Sequence, residues 1–181
     1  TLIDLAVANK ATSAEQILAL LFENITVAEK IVEMTGKIGE KIEISHYEVV
    51  KAEAVVPYIH SNGKLGVLVG LTNTSGADVE EAGKDVAMQI AAMNPVAVDK
   101  DGVDSSTVER EIEVGKEQAR AEGKPEEMLE KIALGKLNKF YKENTLLSQQ
   151  FVKDSSLTIA QYLNNVSKGM TVSAFKRISI G

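Results

Sequence analysis

Few side chains in this sequence could carry covalent chemistry. His46 and His60 are its two histidines, cysteine is absent from all 181 residues, and no His-x-x-x-His spacing occurs. A zinc site needs three or four convergent ligands, and a nucleophilic triad needs a base beside its nucleophile with an acid to orient it. Neither is specified, and thiol chemistry is excluded outright. Gly-Lys recurs at Gly36-Lys37, Gly63-Lys64, Gly83-Lys84, Gly115-Lys116, Gly123-Lys124 and Gly135-Lys136, in no case followed by Ser or Thr. A phosphate-binding P-loop requires that hydroxyl for Mg²⁺ and a glycine-rich turn ahead of it, so these pairs read as turns and helix ends with solvated lysines. Carboxylates cluster at Glu80-Glu81, within 109–113 and at Glu126-Glu127. They fall on the surfaces or first turns of predicted helices, where negative charge favours the helix dipole. The residue types therefore describe a binding module with no cofactor, no metal and no enzymatic step. His46 is predicted as a half-buried strand residue. His60, beside a turn, is predicted to be exposed, either touching a partner or merely solvated.

The charge balance narrows the partner. With 20 Lys+Arg against 26 Asp+Glu the net charge is -6, which disfavours a general phosphate-backbone binder. Four Phe, four Tyr and no Trp leave little for a base-stacking platform. Apolar runs are far shorter than the ~20 residues a bilayer span needs, so neither nucleic acid nor membrane is expected as a partner. A cysteine-free chain suits a reducing cytoplasm. The 44% of hydrophobic residues suffice for one sizeable core or two small ones.

The elements that must position these residues follow from periodicity. Apolar residues at 2, 3, 5 and 6 predict a helix tail over 2–9 with no cap ahead of it, as in a chain cut from something longer. Ser13 with Gln16 predicts a capping box opening one helix over 13–34, closed by Thr35-Gly36. From Lys41 the period drops to two. This predicts a strand through 42–49, then strands at 54–59 and 65–71 joined by a 60–64 turn in which Asn62-Gly63 accepts positive φ. A helix over 78–93 stops at Asn94-Pro95. Helices over 106–121 and 125–142 form a hairpin, with Gly123 past one end and Pro125 opening the next. Their apolar residues are too few to cover both helices all round, so this arm is expected to project. A short helix over 157–164 and a last strand over 171–180, with Val172, Ala174, Ile178 and Ile180 inward, complete an α+β chain. Residues 5–9 (LAVAN) echo 90–94 (IAAMN), either as two related units of which the first lacks its opening strands or as a chance likeness of two amphipathic helices.

Three stretches resemble elongation factor Ts, in that family's order and at similar intervals: 37–42 (KIGEKI), 58–69 (YIHSNGKLGVLV) and 123–140 (GKPEEMLEKIALGKLNKF). Residues 86–94 (VAMQIAAMN) support it. The resemblance implies an α+β fold of two related subdomains, with small antiparallel sheets packed on helices and a projecting antiparallel coiled-coil arm. Residues 1–53 would be a truncated first subdomain and 54–181 the second, with the arm inserted at about 106–142. It implies a translation factor of the bacterial cytoplasm that binds the GTPase elongation factor Tu and promotes GDP release, with no covalent chemistry or cofactor of its own. On the family pattern, Ile38 and Gly39 pack on the nucleotide-binding domain of the GTPase. His60, Ser61, Asn62, Gly63 and Lys64 face its third domain. From the residues alone, Ile38 capping the core between helix and strand is the alternative.

The departures also carry weight. The Thr-Asp-Phe-Val segment, whose Phe wedges near the nucleotide's Mg²⁺ in the family, does not occur here, nor does the ubiquitin-associated-like domain. Gln150 stands where the family more often has Pro, and the short C-terminal module of some family members is not expected. The resemblance therefore implies the core, or dimerisation, region, with a homodimer through the arm or an uncovered sheet edge as a second expectation.

Overall fold

The computed structural model describes residues 1–60 and 63–180, which divide into two compact units, Thr1–Val49 and Val50–Gly181. The first opens on α1 (Leu2–Ala8). Contrary to the uncapped helix tail expected from sequence, Thr1 caps it: its hydroxyl accepts from the Asp4 N–H, while the Asp4 carboxylate accepts from the N-terminal residue.

The single helix expected over 13–34 is in fact two helices and a ribbon: α2 (Ala14–Ala19), β1 (Leu21–Phe22), β2 (Ile25–Thr26) and α3 (Val27–Ile38). Glu23 turns the ribbon in the left-handed region at φ 61°. A second capping box then restarts the helix: the Thr26 N–H donates to Glu29 at 2.7 Å and the Glu29 N–H to Thr26 Oγ1 at 3.2 Å. The box expected at Ser13 is only half formed, because Gln16 Oε1 accepts from the Thr12 N–H instead. Ala6, Ala11, Ile17 and Val27 form the buried core of this unit. Helix α3 runs through Gly36 and closes at Gly39, three residues later than expected.

Residues 41–49 form no strand. The Ile42 N–H donates to Thr35 Oγ1, and Ile44 and Tyr47 turn onto the core of the first unit. The alternation breaks between them, which leaves His46 exposed rather than half-buried.

The second unit contains β3 (Ala54–Ile59), β4 (Leu65–Thr72), α4 (Val79–Met93), α5 (Ser105–Ala121), α6 (Glu126–Asn144), β5 (Gln150–Phe151), β6 (Asp154–Thr158), α7 (Ile159–Val166) and β7 (Thr171–Ser179). The last strand takes the place of the one expected at 42–49: the three-stranded antiparallel sheet has the order β3-β4-β7. Its inner face carries Val56, Val67, Val69, Leu71 and Val172 against Ala82, Val86, Ile90 and Leu163. Asp78 caps α4 and Asn94, at φ 45°, ends it where Asn94-Pro95 predicted.

Strand β7 bulges where its register with β4 shifts between Gly70 and Leu71. The shift exchanges its faces. Val172 is buried as expected, but Phe175 opposite Val69 returns to the core, whereas Ala174 and Ile178 pair with Gly70 and Gly66 on the other face. Ile180 is likewise exposed rather than inward.

Helices α5 and α6 pair with each other around small residues. A Cβ on Gly115 would approach the Ala133 Cα to 3.1 Å, so the backbones come close where few large apolar residues are available. Arg120 clamps Glu126 through two hydrogen bonds, at 2.7 and 3.2 Å, and Lys116 reaches Glu130 at 2.9 Å. Pro125 sits just before α6 rather than opening it as expected, and it supplies no side-chain capping bond.

Where β4 leads towards α4, Asn73 and Ser75 adopt left-handed backbones. The Glu53 carboxylate ties this loop down by accepting from the Asn73 N–H at 2.8 Å and from the Thr74 hydroxyl and N–H. The Thr74 hydroxyl, then the two N–H groups, holds this carboxyl below the ordinary glutamate value of 4.5. A depressed folded-state pKa contributes stability that is present above the unfolded value and lost as pH falls through the folded one. Urea midpoints of the wild type should therefore drop more steeply below pH 4.5 than those of Glu53→Gln. Parallel acid limbs would show that Glu53 carries no such link.

Candidate partner-binding site

Ile38 ends α3. Its side chain is 53% exposed and takes no part in the core that buries Val27, so the core-capping alternative does not hold. The last turns of the helix carry an ion pair: Glu33 pairs with Lys37 one turn on, and its carboxyl is held below the usual range by Lys37 first and then Lys30. Gly39 follows at φ 78°, its N–H donating to the Thr35 carbonyl at 2.9 Å. No atom lies within 4 Å of where its Cβ would be, so the glycine serves the backbone conformation and leaves the bend open. Gly39→Ala should cost about 1 kcal/mol for the left-handed conformation, read as a lower urea midpoint. An unchanged midpoint would show that the bend needs no glycine.

Beside this bend a shallow apolar groove of about 270 Å³ is lined by Leu2, Phe22, Val27, Ile31, Met34 and Ile42, with Lys30 at its edge. Reading 13–34 as one continuous helix missed the groove, because Phe22 reaches it from the ribbon that interrupts that helix.

On the second unit, His60, Gly63 and Lys64 are exposed at the β3–β4 turn, while Ser61 and Asn62 lie outside the described residues. The turn is held by the His60 N–H donating to the Leu65 carbonyl and the Gly63 N–H to the His60 carbonyl, both at 2.8 Å. Gly63 has the positive φ expected of it, 69°. The Lys64 carbonyl accepts from the Ile180 N–H at 2.9 Å, so the end of β7 lies beside the turn. Ile59 and Ile180, 68% and 51% exposed, add apolar surface there. Ile59 was legible in principle, since strand alternation with Val56 and Tyr58 inward sends it outward.

Ile38 and Gly39 thus belong to one unit and the turn residues to the other. Chemically, both patches offer contact: an open apolar side chain at a bend, and an imidazole among isoleucines. The most buried carboxylate, Asp85, is engaged by the Lys153 ammonium and by the Tyr162 hydroxyl at 2.9 Å. Burial, then Asp85, pushes the Tyr162 phenol well above the usual tyrosine range. This cluster ties α7 and the β5–β6 turn to α4. Among the described residues, no three or more His, Asp or Glu converge to hold a metal, and no helix is long and apolar enough to cross a membrane.

The family model for Elongation factor TS matches residues 1–181. The chain belongs to the elongation factor Ts family. Elongation factor Ts of Cytophaga hutchinsonii is 66% identical over 176 residues, which cover 97% of this chain and 63% of that protein. The Amoebophilus asiaticus elongation factor Ts is 54% identical over 180 residues, covering 99% of this chain and 65% of the relative. That of Flavobacterium psychrophilum is 46% identical over 167 residues, 92% and 61% respectively. The chain therefore spans slightly less than two thirds of these elongation factor Ts relatives. Of the stretches that resemble the family, 37–42 forms the bend after α3, 58–69 the β3–β4 hairpin and 123–140 most of α6.

Proposed function

We propose that this chain is the part of a translation elongation factor that docks on elongation factor Tu and promotes release of its GDP, without covalent chemistry of its own. The elongation factor Ts family match over residues 1–181 carries the reading, and the family stretch 37–42 falls at an open bend where Ile38 is more than half exposed and available for burial by another protein. The mechanism is linkage. If the chain binds the nucleotide-free GTPase more tightly than the GDP-bound form, it weakens GDP binding by the same ratio by which GDP weakens its own. The α5–α6 hairpin serves as the coiled-coil arm of the family, and 54–181 as the subdomain that bears it.

The test is calorimetric titration of purified elongation factor Tu with this chain, paired with stopped-flow release of a fluorescent GDP analogue. Saturable binding, weakened by excess GDP, is expected, with release accelerated far less than by a relative that carries the Thr-Asp-Phe-Val segment. Absence of binding overturns the proposal, and binding indifferent to GDP overturns the linkage. Self-association is a second reading, favoured by the exposed Val55 and Ile59 on the outer face of the sheet. A concentration-dependent mass in sedimentation equilibrium would support it, and a constant monomer mass would remove it.

A further inference from the structure

Building on the docking reading, we infer that Tyr58 is a positioning residue. It holds His60 as the Nε2–H tautomer, so that the β3–β4 turn presents a fixed hydrogen-bond donor to an acceptor oxygen on the docked partner. The Tyr58 hydroxyl lies 3.0 Å from His60 Nδ1, with ring centroids 6.1 Å apart. Tyr58 is itself half-buried and packed against the sheet core, whereas His60 is exposed. The anchoring ring packs on the sheet core and the imidazole is at the surface.

A neutral imidazole has one donor and one acceptor nitrogen. A phenol O–H is a good donor, while its oxygen, conjugated with the ring, is a poorer acceptor than an imidazole nitrogen. The Tyr58 O–H therefore donates to Nδ1, and the ring proton resides on Nε2. The backbone of His60 is fixed on both sides, by the Leu65 carbonyl and the Gly63 N–H. Ordering a side chain before association removes part of the entropy that docking otherwise costs. The consequence for recognition is specific: the turn favours a carbonyl or carboxylate oxygen and disfavours a lysine, an arginine or a backbone N–H at that point.

Two measurements decide it. Long-range ¹H–¹⁵N spectra, recorded at about pH 8.5 where a free imidazole is neutral, should show His60 as Nε2–H in the wild type and a rise in Nδ1–H in Tyr58→Phe, which keeps the packed ring. An unchanged tautomer ratio overturns the inference. Titration with elongation factor Tu should show about tenfold weaker binding for His60→Ala, about threefold for Tyr58→Phe, and no further loss when the two are combined. A Tyr58→Phe loss that persists in the His60→Ala background overturns the positioning role. Wild-type binding by His60→Ala overturns docking at the turn, and the spectra separate that failure from failure of the tautomer assignment.

Discussion

Gly83→Ala should destabilise the second unit by about 2 kcal/mol, although alanine is the better helix former by about 1 kcal/mol. Helix α4 lies on β3 with nothing between them at this point. A Cβ on Gly83 would meet Val56 Cγ2 at 2.3 Å, its Cβ at 2.5 Å and its Cγ1 at 2.9 Å. All three belong to one stiff, β-branched side chain that is 4% exposed, so no flexible tip can swing away. Overpacking of a dense core costs typically about 1–3 kcal/mol, and contacts this short lie at or beyond the upper end of that range. The propensity gain offsets only part of it. Val56→Ala removes the two methyl groups but keeps its own Cβ at 2.5 Å, so the relief is partial and the double variant should lose less than the two single losses together by about 1 kcal/mol. Urea midpoints at unchanged m-value are the readout. A neutral or stabilised Gly83→Ala would mean that α4 and β3 are not in this contact. The same contact seats the strand that ends at Ile59 and leads into His60, so loosening it also loosens the turn proposed to meet the partner.

What the sequence reveals and what it hides follow from how local each signal is. The β3–β4 hairpin is legible because its β-branched runs flank a turn with Gly63 at positive φ, all within a few residues. Helix α4 is legible for the same reason, with Asp78 at one end and Asn94-Pro95 at the other. The break between α2 and α3 is hidden because Leu20, Phe22 and Val27 all face the same core. Helical spacing therefore runs on through a ribbon whose turn, Glu23-Asn24, lacks Gly and Pro. The Thr26-x-x-Glu29 box was nonetheless present in the sequence as a start signal. Residues 42–49 alternate like a strand, but a strand exists only when paired, and pairing is decided by segments far away: β4 accepts β3 on one edge and β7 on the other. The bulge in β7 is likewise a matter of register with β4, so no local pattern could have sent Phe175 inward in place of Ala174. For the candidate site, the turn at 60–64 was legible as a turn. The exposure of Ile38 was not, since an isoleucine at a helix end reads the same whether it caps a core or faces solvent. Gly36 and Gly39 are equally good stop signals on their own, and the structure closes the helix at Gly39, beyond the Glu33–Lys37 pair.

Ile38→Asp should weaken binding to elongation factor Tu about a hundredfold while leaving the fold intact. Fully burying an isoleucine is worth about 1.5–3 kcal/mol relative to exposure. With 53% of this one still accessible, about 1 kcal/mol is available to a partner. Placing a carboxylate in the same contact adds a desolvation penalty of about 2 kcal/mol or more unless the partner offers a cation. The sum, about 3 kcal/mol, corresponds to about two decades in Kd. The fold should tolerate the change because Ile38 contributes nothing to the buried core. The one local cost is an acidic group at a helix C-terminus, about 0.3–1 kcal/mol against the dipole. Ile38→Lys reverses that local term, since a cation at the C-terminus is favourable, yet it too places a charge in the contact. Loss of binding in both variants, with Ile38→Leu close to wild type, would assign the effect to apolar contact. Loss in Ile38→Asp alone would assign it to charge repulsion or to fraying of α3, and wild-type affinity in all three would remove the bend from the interface. Far-UV circular dichroism of each variant separates fraying from the other two causes, because only fraying lowers helix content in the unbound chain.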